Sequence, residues 1–179
     1  MRVIAGLARG RRLKAPKGMN TRPTSDRVKE AVFNVLAGRL SRSRVLDVFA
    51  GSGAMGIEAS SRGAQRAVFI EKNHRAWLTL KENLLLTGFA ELAQVYRGDY
   101  VNILPELNDN FDIAILDPPY NRGFIQPAAS LIISLGLLEP GGLIVVETNA
   151  KSREIPDVKM LKLLKDSVYG DTAVLYYSI

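Results

Sequence analysis

The order of residue types along this chain predicts an α/β fold with a mainly parallel, seven-stranded sheet and helices on both faces. Three observations carry that expectation. From residue 44 onward, short apolar runs alternate with longer stretches of helical spacing. The glycine loop Gly51-Ser52-Gly53-Ala54-Met55-Gly56 follows the first of those runs and opens a helix. A later run, Ile113-Ala114-Ile115-Leu116, ends in Asp117-Pro118-Pro119-Tyr120. Neither proline can continue a sheet, because each lacks an N–H and fixes φ. A carboxylate, a rigid diproline and an aromatic ring are therefore left at the strand's carboxyl end, the edge of an open α/β sheet where ligands bind.

Each element has its own local signature. Residues 2–14 read as a short hairpin or extended arm, with Gly6 and Gly10 available for the turn. Pro16, Gly18 and Pro23 mark residues 15–23 as a loop. Thr24, Ser25 and Asp26 are three N-cap candidates for an amphipathic helix over 24–38, with Val28, Val32, Val35 and Leu36 on one face, Ala31 beside them and Gly38 as the C-cap. Val45–Phe49 is the first strand, followed by the glycine loop and a helix to about Arg62. Ala67–Glu71 is the second strand. The helix after it runs from about Asn73 to Thr87, capped by Gly88, with Ala76, Trp77, Leu80, Leu84 and Leu85 expected inside. Gln94–Arg97 and residues 111–116 are the third and fourth strands, and a helix around 125–136 leads to the turn Glu139-Pro140-Gly141-Gly142 and a fifth strand, Leu143–Glu147. Residues 159–164 and 172–178 are expected to close one edge as an antiparallel pair.

Composition bounds the function. The chain has 179 residues, 47% hydrophobic and 23% charged, which suits one domain over 1–179 that buries roughly 70% of its unfolded surface. Residues 1–43 form its basic N-terminal part and 44–179 its core. With no cysteine and one histidine, His74, thiolate chemistry, disulfides, Cys or His metal clusters and a catalytic triad are excluded, and no metal is expected. The absence of cysteine, of a signal-peptide pattern and of a membrane-length apolar run points to the cytoplasm and to no membrane partner. The net charge of +6 is uneven: residues 1–44 carry 12 Lys/Arg against 2 Asp/Glu, and the rest 12 against 16. Arg2, Arg9, Arg11, Arg12, Lys14 and Lys17 form a concentrated basic block, the footprint of a polyanion such as RNA, and Arg22, an RNA-binding candidate pinned between a proline and a helix start, is expected to face the active-site cleft. The bland alternative is a solvated basic arm.

Taken literally, Gly51-x-Gly53-x-x-Gly56 after a strand, with Glu71 about 20 residues on, is a dinucleotide fingerprint. Asp47 argues otherwise, because a carboxylate four residues before the first glycine disfavours a pyrophosphate and favours an ammonium. S-adenosylmethionine, cationic and free of phosphate, suits the pattern better. Glu71 is assigned to its ribose hydroxyls and Asp99 to its adenine amine. The candidate cofactor residues are Asp47, Phe49, Ala50, Gly51, Gly53, Met55, Gly56, Glu71, Lys72, Asp99 and Tyr100, all after residue 44.

Asp47-Val48-Phe49-Ala50-Gly51-Ser52-Gly53 resembles the first motif of class I S-adenosylmethionine-dependent methyltransferases, which have a Rossmann-like fold. Asp117-Pro118-Pro119-Tyr120 is similar to the motif of those that methylate exocyclic amines of nucleobases. Gly10-Arg11-Arg12-Leu13 and Thr21-Arg22-Pro23-Thr24-Ser25-Asp26-Arg27-Val28 resemble the bacterial 16S ribosomal RNA (guanine-N2) methyltransferases in particular. The resemblance covers essentially the whole chain. It implies methylation of N2 of one guanine, with ribosomal RNA, free or within a small ribosomal subunit, as partner and a monomeric enzyme. Asp117, Pro118, Pro119 and Tyr120 would be catalytic: Asp117 and the Pro118 carbonyl would accept the amine hydrogens, and Tyr120 would stack on a base that has left its helix.

Three other functions compete. A DNA adenine-N6 methyltransferase uses the same four-residue motif, but about 44 residues outside the core leave little room for reading a DNA site. A non-catalytic RNA-binding assembly factor of this fold is the second, and a nicotinamide dehydrogenase the third. His74 reads as a surface residue, Trp77 as packing and Lys72 as either a cofactor contact or a solvated lysine.

Overall fold

The computed structural model describes residues 1–16 and 26–179. The expectations for Lys17, Arg22, Thr24 and Ser25 lie outside the described residues. Helix α1 spans Asp26–Leu36, and strand β1, Arg44–Asp47, leads through the glycine loop into α2, Ala54–Ser61. Strand β2, Arg66–Glu71, is followed by α3, His74–Thr87, β3, Ala93–Arg97, and a single helical turn, α4, Tyr100–Ile103. Strand β4, Phe111–Leu116, precedes α5, Ile125–Ser134, and then come β5, Leu138–Asn149, β6, Lys162–Tyr169, and β7, Thr172–Ser178.

The seven strands form one sheet in the order β3-β2-β1-β4-β5-β7-β6. The first five are parallel, and β7 runs antiparallel between β5 and β6, so the expected closing hairpin is present. Side chains alternate between the two faces, as the two-residue period of a strand requires. Leu46, Val68, Ala114, Leu116, Ile144 and Val146 pack on the α5 side against Ile125, Ala128 and Ile132. Val45, Ile113, Ile115 and Val145 pack on the opposite side against Val28, Val32, Phe33 and Leu36 of α1. Each of the valine, leucine, isoleucine and phenylalanine side chains among them contributes about 1.5–3 kcal/mol relative to exposure.

The differences from sequence expectation are local. Helix α1 does not end at Gly38; it tightens into a 3₁₀ turn over Ala37–Arg39. Its core face includes Phe33 and Lys29, whereas Val35 is only half-buried. Leu85 is 72% exposed, and Asn83 takes the inward place on α3, where its amide accepts from the Lys14 N–H at 2.8 Å and donates to the Ser52 carbonyl at 2.9 Å. Strand β5 begins at Leu138: residues 139–142 form an irregularity inside it, since Phe111 pairs with Leu138 and Ile113 with Leu143. Strand β6 lies later than residues 159–164, because the turn that pairs it with β7 falls at Gly170 and Asp171.

The N-terminal segment is a docked hairpin. Arg2 bridges Arg12, and Val3 donates to the Arg11 carbonyl at 2.9 Å while Gly10 donates to Val3 at 2.9 Å. Val3, Ala8 and Leu13 are buried with Ile57, Phe69 and Leu80 of the core. Leu7 and Ala8 donate to the Ser61 carbonyl and hydroxyl at 2.8 and 2.9 Å. Gly6 sits so close that an added Cβ would lie 1.8 Å from the Ser61 oxygen, with φ +80°. Beneath the hairpin, the buried Glu58 carboxylate accepts from the Ile4 and Ala5 N–H groups at 2.8 and 3.0 Å, from Arg62 at 2.8 Å, and pairs with Lys29 at 3.3 Å. The Lys29 ammonium also donates to the Arg2 carbonyl.

Candidate active site

At the carboxyl ends of β1, β2, β4 and β5 lies a cavity of about 920 Å³. The β1 chain continues past Asp47: Val48 donates to the Ile115 carbonyl at 3.1 Å, and Ala50 crosses over to the Ile70 carbonyl at 3.0 Å. The glycine loop then turns sharply, with φ of +55° at Gly51 and +83° at Gly53. These are left-handed values that glycine adopts without strain.

Two carboxylates tie this loop down. The Gly51 N–H donates to Glu71 at 2.7 Å, and the Glu71 carboxylate also accepts from the Asn73 N–H at 2.6 Å at the start of α3. Burial raises the Glu71 pKa above the ordinary carboxylate value, against the pull of those N–H groups. Asp47, only 2% exposed, accepts from the Gly56 N–H at 3.0 Å, where α2 begins. Desolvation is the main force that pushes its pKa up to about 7, with Asp117 and Glu71 adding like-charge repulsion.

Of the candidate cofactor residues, Asp47, Phe49, Ala50, Gly51, Met55, Glu71, Lys72, Asp99 and Tyr100 line the cavity. Gly53 and Gly56 are not among its lining residues, which corrects the expectation that the glycines form the wall together. A Cβ on Gly53 would meet Leu80 at 2.2 Å, and one on Gly56 would meet Phe69 at 2.2 Å. Those two glycines allow the loop and helix to lie flat on the core. Asp99 caps α4 through the Val101 N–H at 3.2 Å and holds Lys72 at 2.8 Å, and that ion pair lowers the Asp99 pKa.

The opposite wall carries Asp117, Pro118, Pro119 and Tyr120. Leu116 pairs with Val146, so Asp117 comes level with Glu147 on the neighbouring strand. The Tyr120 hydroxyl donates to Glu147 at 2.8 Å and lies 3.1 Å from the Thr172 hydroxyl. Burial and the nearby Glu147 charge raise the Tyr120 pKa, so the phenol keeps its proton. Phe49, Tyr100 and Phe124 form an aromatic group at the cavity, with ring centroids 5.2 to 6.4 Å apart.

Sequence reasoning missed Phe124, Glu147 and Thr172, as well as Met1, Ala15 and Pro16 from the hairpin side of the cavity. The last three overturn the expectation that the pocket draws only on residues after 44. Arg9, Arg11 and Arg12 are exposed on the hairpin, Arg2 pairs with Asp26 at 3.2 Å and Lys14 with Glu82 at 3.0 Å. His74 is exposed and stacks on Trp77 with centroids 5.9 Å apart; Trp77 is half-buried, with the Lys81 ammonium 4.7 Å from its ring. No helix among the described residues is long and apolar enough to cross a membrane.

The chemistry of the donor set fits S-adenosylmethionine. Carboxylates at Asp47, Glu71 and Asp117 suit a ligand bearing an ammonium and a sulfonium, and would repel a pyrophosphate. The aromatic group, its rings tilted 37 to 84° to one another, offers apolar ring surface to a purine.

A family profile described as Conserved hypothetical protein 95 matches residues 1–178. The Haemophilus influenzae protein named Ribosomal RNA small subunit methyltransferase D is 38% identical, over 99% of this chain and 93% of its own. The solved structure of yhhF from Escherichia coli superposes with a TM-score of 0.88 at 34% identity, covering 99% of this chain and 96% of that one. An RNA methyltransferase from Salinibacter ruber, solved with S-adenosyl-L-homocysteine, shares the fold at a TM-score of 0.64 and 18% identity, covering 88% of this chain and 94% of that one. The chain belongs to the Conserved hypothetical protein 95 family and has the Rossmann-like fold of class I methyltransferases.

Proposed function

We propose that this chain transfers the methyl group of S-adenosylmethionine to the exocyclic N2 amine of a guanine in small-subunit ribosomal RNA. The observation that carries the reading is the Asp117-Pro118-Pro119-Tyr120 motif facing the glycine-loop wall across one cavity. The family relatives named as ribosomal RNA methyltransferases support RNA as the substrate.

S-adenosylmethionine supplies an electrophilic methyl group. The residues of the chain would do the rest. Glu71, already fixed by two N–H groups, has lone pairs left for ribose hydroxyls, and Asp47 would answer the ammonium. Asp99 would reach the adenine amine beside its bond to Lys72. The guanine amine is a weak nucleophile because its lone pair is delocalised into the ring. Asp117 and the Pro118 carbonyl, accepting its hydrogens, would localise that lone pair toward the methyl carbon. The new C–N bond then forms as the C–S bond breaks, and the surplus N–H proton passes to Asp117 or water. Positioning and electrostatic preorganisation supply the acceleration. The exposed arginines of the hairpin would hold RNA phosphates beside the mouth that Met1, Ala15 and Pro16 border. The whole chain would act as one domain, as a monomer.

The test is methylation of ribosomal RNA and of assembled small subunits with labelled S-adenosylmethionine, followed by nucleoside mass spectrometry. N2-methylguanosine is the expected product. N6-methyladenosine in duplex DNA would point instead to the adenine reading, and cofactor binding with no transfer to any nucleic acid would point to an assembly factor.

A further inference from the structure

We infer that Glu147 reads the acceptor base as guanine, by accepting the N1–H that lies next to the methylated amine; this rests on the guanine-N2 reading above. Asp-Pro-Pro-Tyr accepts the hydrogens of an exocyclic amine and cannot by itself tell one base from another. What differs is the ring nitrogen beside that amine. In guanine, N1 carries a hydrogen, so N1–H and the N2 amine form two adjacent donors. In adenine, N1 beside the N6 amine is a lone-pair acceptor. Two acceptors at adjacent positions match guanine, and the second of them repels adenine.

The fold supplies that second acceptor. Leu116 pairs with Val146 on parallel strands, so Asp117 and Glu147 stand level at neighbouring strand ends. Ile113 and Ile115 share a face with Leu143 and Val145, and the two-residue period puts Asp117 and Glu147 on that same face. Adjacent strands lie about 4.8 Å apart, close enough for two carboxylates to converge on one base edge. Both residues line the cavity.

Glu147 is also fixed in place. One of its oxygens accepts from the Tyr120 hydroxyl at 2.8 Å, and Thr172 on β7 meets the same hydroxyl at 3.1 Å. The ring that would carry the base and the carboxylate that would read its edge are therefore held as one unit. At 6% exposure, water gives the carboxylate little help when a wrong base arrives. An acceptor nitrogen brought against a carboxylate shielded from water meets its lone pairs with no hydrogen between them, which disfavours adenine.

The test uses substrate RNA in which the methylated guanine, once mapped, is replaced by 2-aminopurine. That base keeps the amine at C2 but has an acceptor at N1. The wild-type protein is expected to methylate it at least about tenfold more slowly than guanine. Glu147→Gln keeps an oxygen for Tyr120 and turns an N–H toward the base. It is expected to methylate 2-aminopurine faster than the wild type and to shrink the guanine preference at least about tenfold, with S-adenosylmethionine affinity by calorimetry unchanged. If the variant slows both bases equally, Glu147 only positions Tyr120 and the inference fails. Equal wild-type rates on the two bases overturn it without any variant. A wild-type reaction that yields no N2-methylguanosine overturns the guanine reading and this inference together, whereas N2-methylguanosine with no base preference overturns this inference alone.

Discussion

Two carboxylates of this protein are almost equally buried and are treated in opposite ways. Glu58, 0% exposed beneath the N-terminal hairpin, is surrounded by two backbone N–H groups, Arg62 and Lys29. Asp47, 2% exposed at the cavity, accepts a hydrogen bond from the Gly56 N–H, and its charged neighbours Asp117 and Glu71 repel it. Burial costs a charge several kcal/mol unless partners replace its water. At Glu58 the chain provides those partners itself. At Asp47 the compensation falls short, so the pKa climbs to about 7. A shortfall of positive charge inside a cavity is what a cationic ligand makes good.

The contrast can be broken most forcefully at Glu58. Glu58→Ala leaves the Lys29 ammonium and two N–H groups buried without their acceptor, and should cost about 3–5 kcal/mol in denaturant unfolding. A loss under about 1 kcal/mol would show that the knot beneath the hairpin matters little. On the cavity side, Asp117→Ala should leave the melting temperature near wild type and lower kcat by roughly 10²–10³-fold. Retention of most of kcat would remove Asp117 from the amine. Glu71→Ala should weaken S-adenosylmethionine binding by about tenfold to a hundredfold in calorimetry, as loss of a buried charged acceptor does. Unchanged affinity would sink the ribose assignment.

Neutralising Arg9, Arg11 and Arg12 should flatten the salt dependence of RNA binding, each lost phosphate contact reducing the slope by roughly 0.7–0.9. An unchanged slope would place the RNA elsewhere. The remaining test concerns Asp47 and pH. Its folded pKa is raised, from 3.8 to about 7, so the folded state binds this proton more tightly than the unfolded chain does. Stability of the ligand-free protein should therefore fall as pH rises between about 4 and 7. Asp47→Asn should flatten that fall, and saturating S-adenosylmethionine should flatten it in the wild type. Parallel melting curves for wild type and variant across that range would dissociate Asp47 from the effect.

The glycine-loop wall of the cavity was legible in sequence because it is built from consecutive residues. Strand, glycine loop, helix and Glu71 lie within one βαβ unit, and local spacing dictates their geometry. Even there, spacing did not distinguish Gly51, on the cavity, from Gly53 and Gly56, which are glycine because Leu80 and Phe69 leave no room for a Cβ. The acceptor side was half legible. Asp117 to Tyr120 announce themselves, whereas Glu147 and Thr172 come from strands whose pairing with each other and with β4 is a property of the folded sheet. The Glu58 knot was hidden for the same reason: Lys29, Glu58 and Ile4 are far apart in sequence, and only the docked hairpin brings them together. Irregular backbone explains the boundary errors. The loop inside β5 reads as a turn, and the closing hairpin slides along its strands until Gly170 fixes it.

The order of strands across the sheet also sets an order in time. A polypeptide leaves the ribosome amino end first, and β7 is the last of the seven strands to emerge, yet its place is between β5 and β6. Until it inserts, β5 has an open edge, β6 has no neighbour, and the core lacks Val174, Leu175, Tyr176 and Tyr177. Thr172, which meets the Tyr120 hydroxyl, arrives with the same strand. The glycine loop can thus be in place on a nascent chain while the wall opposite it is still being translated, and the two sides of the cavity face each other in finished form only after β7 has closed the sheet.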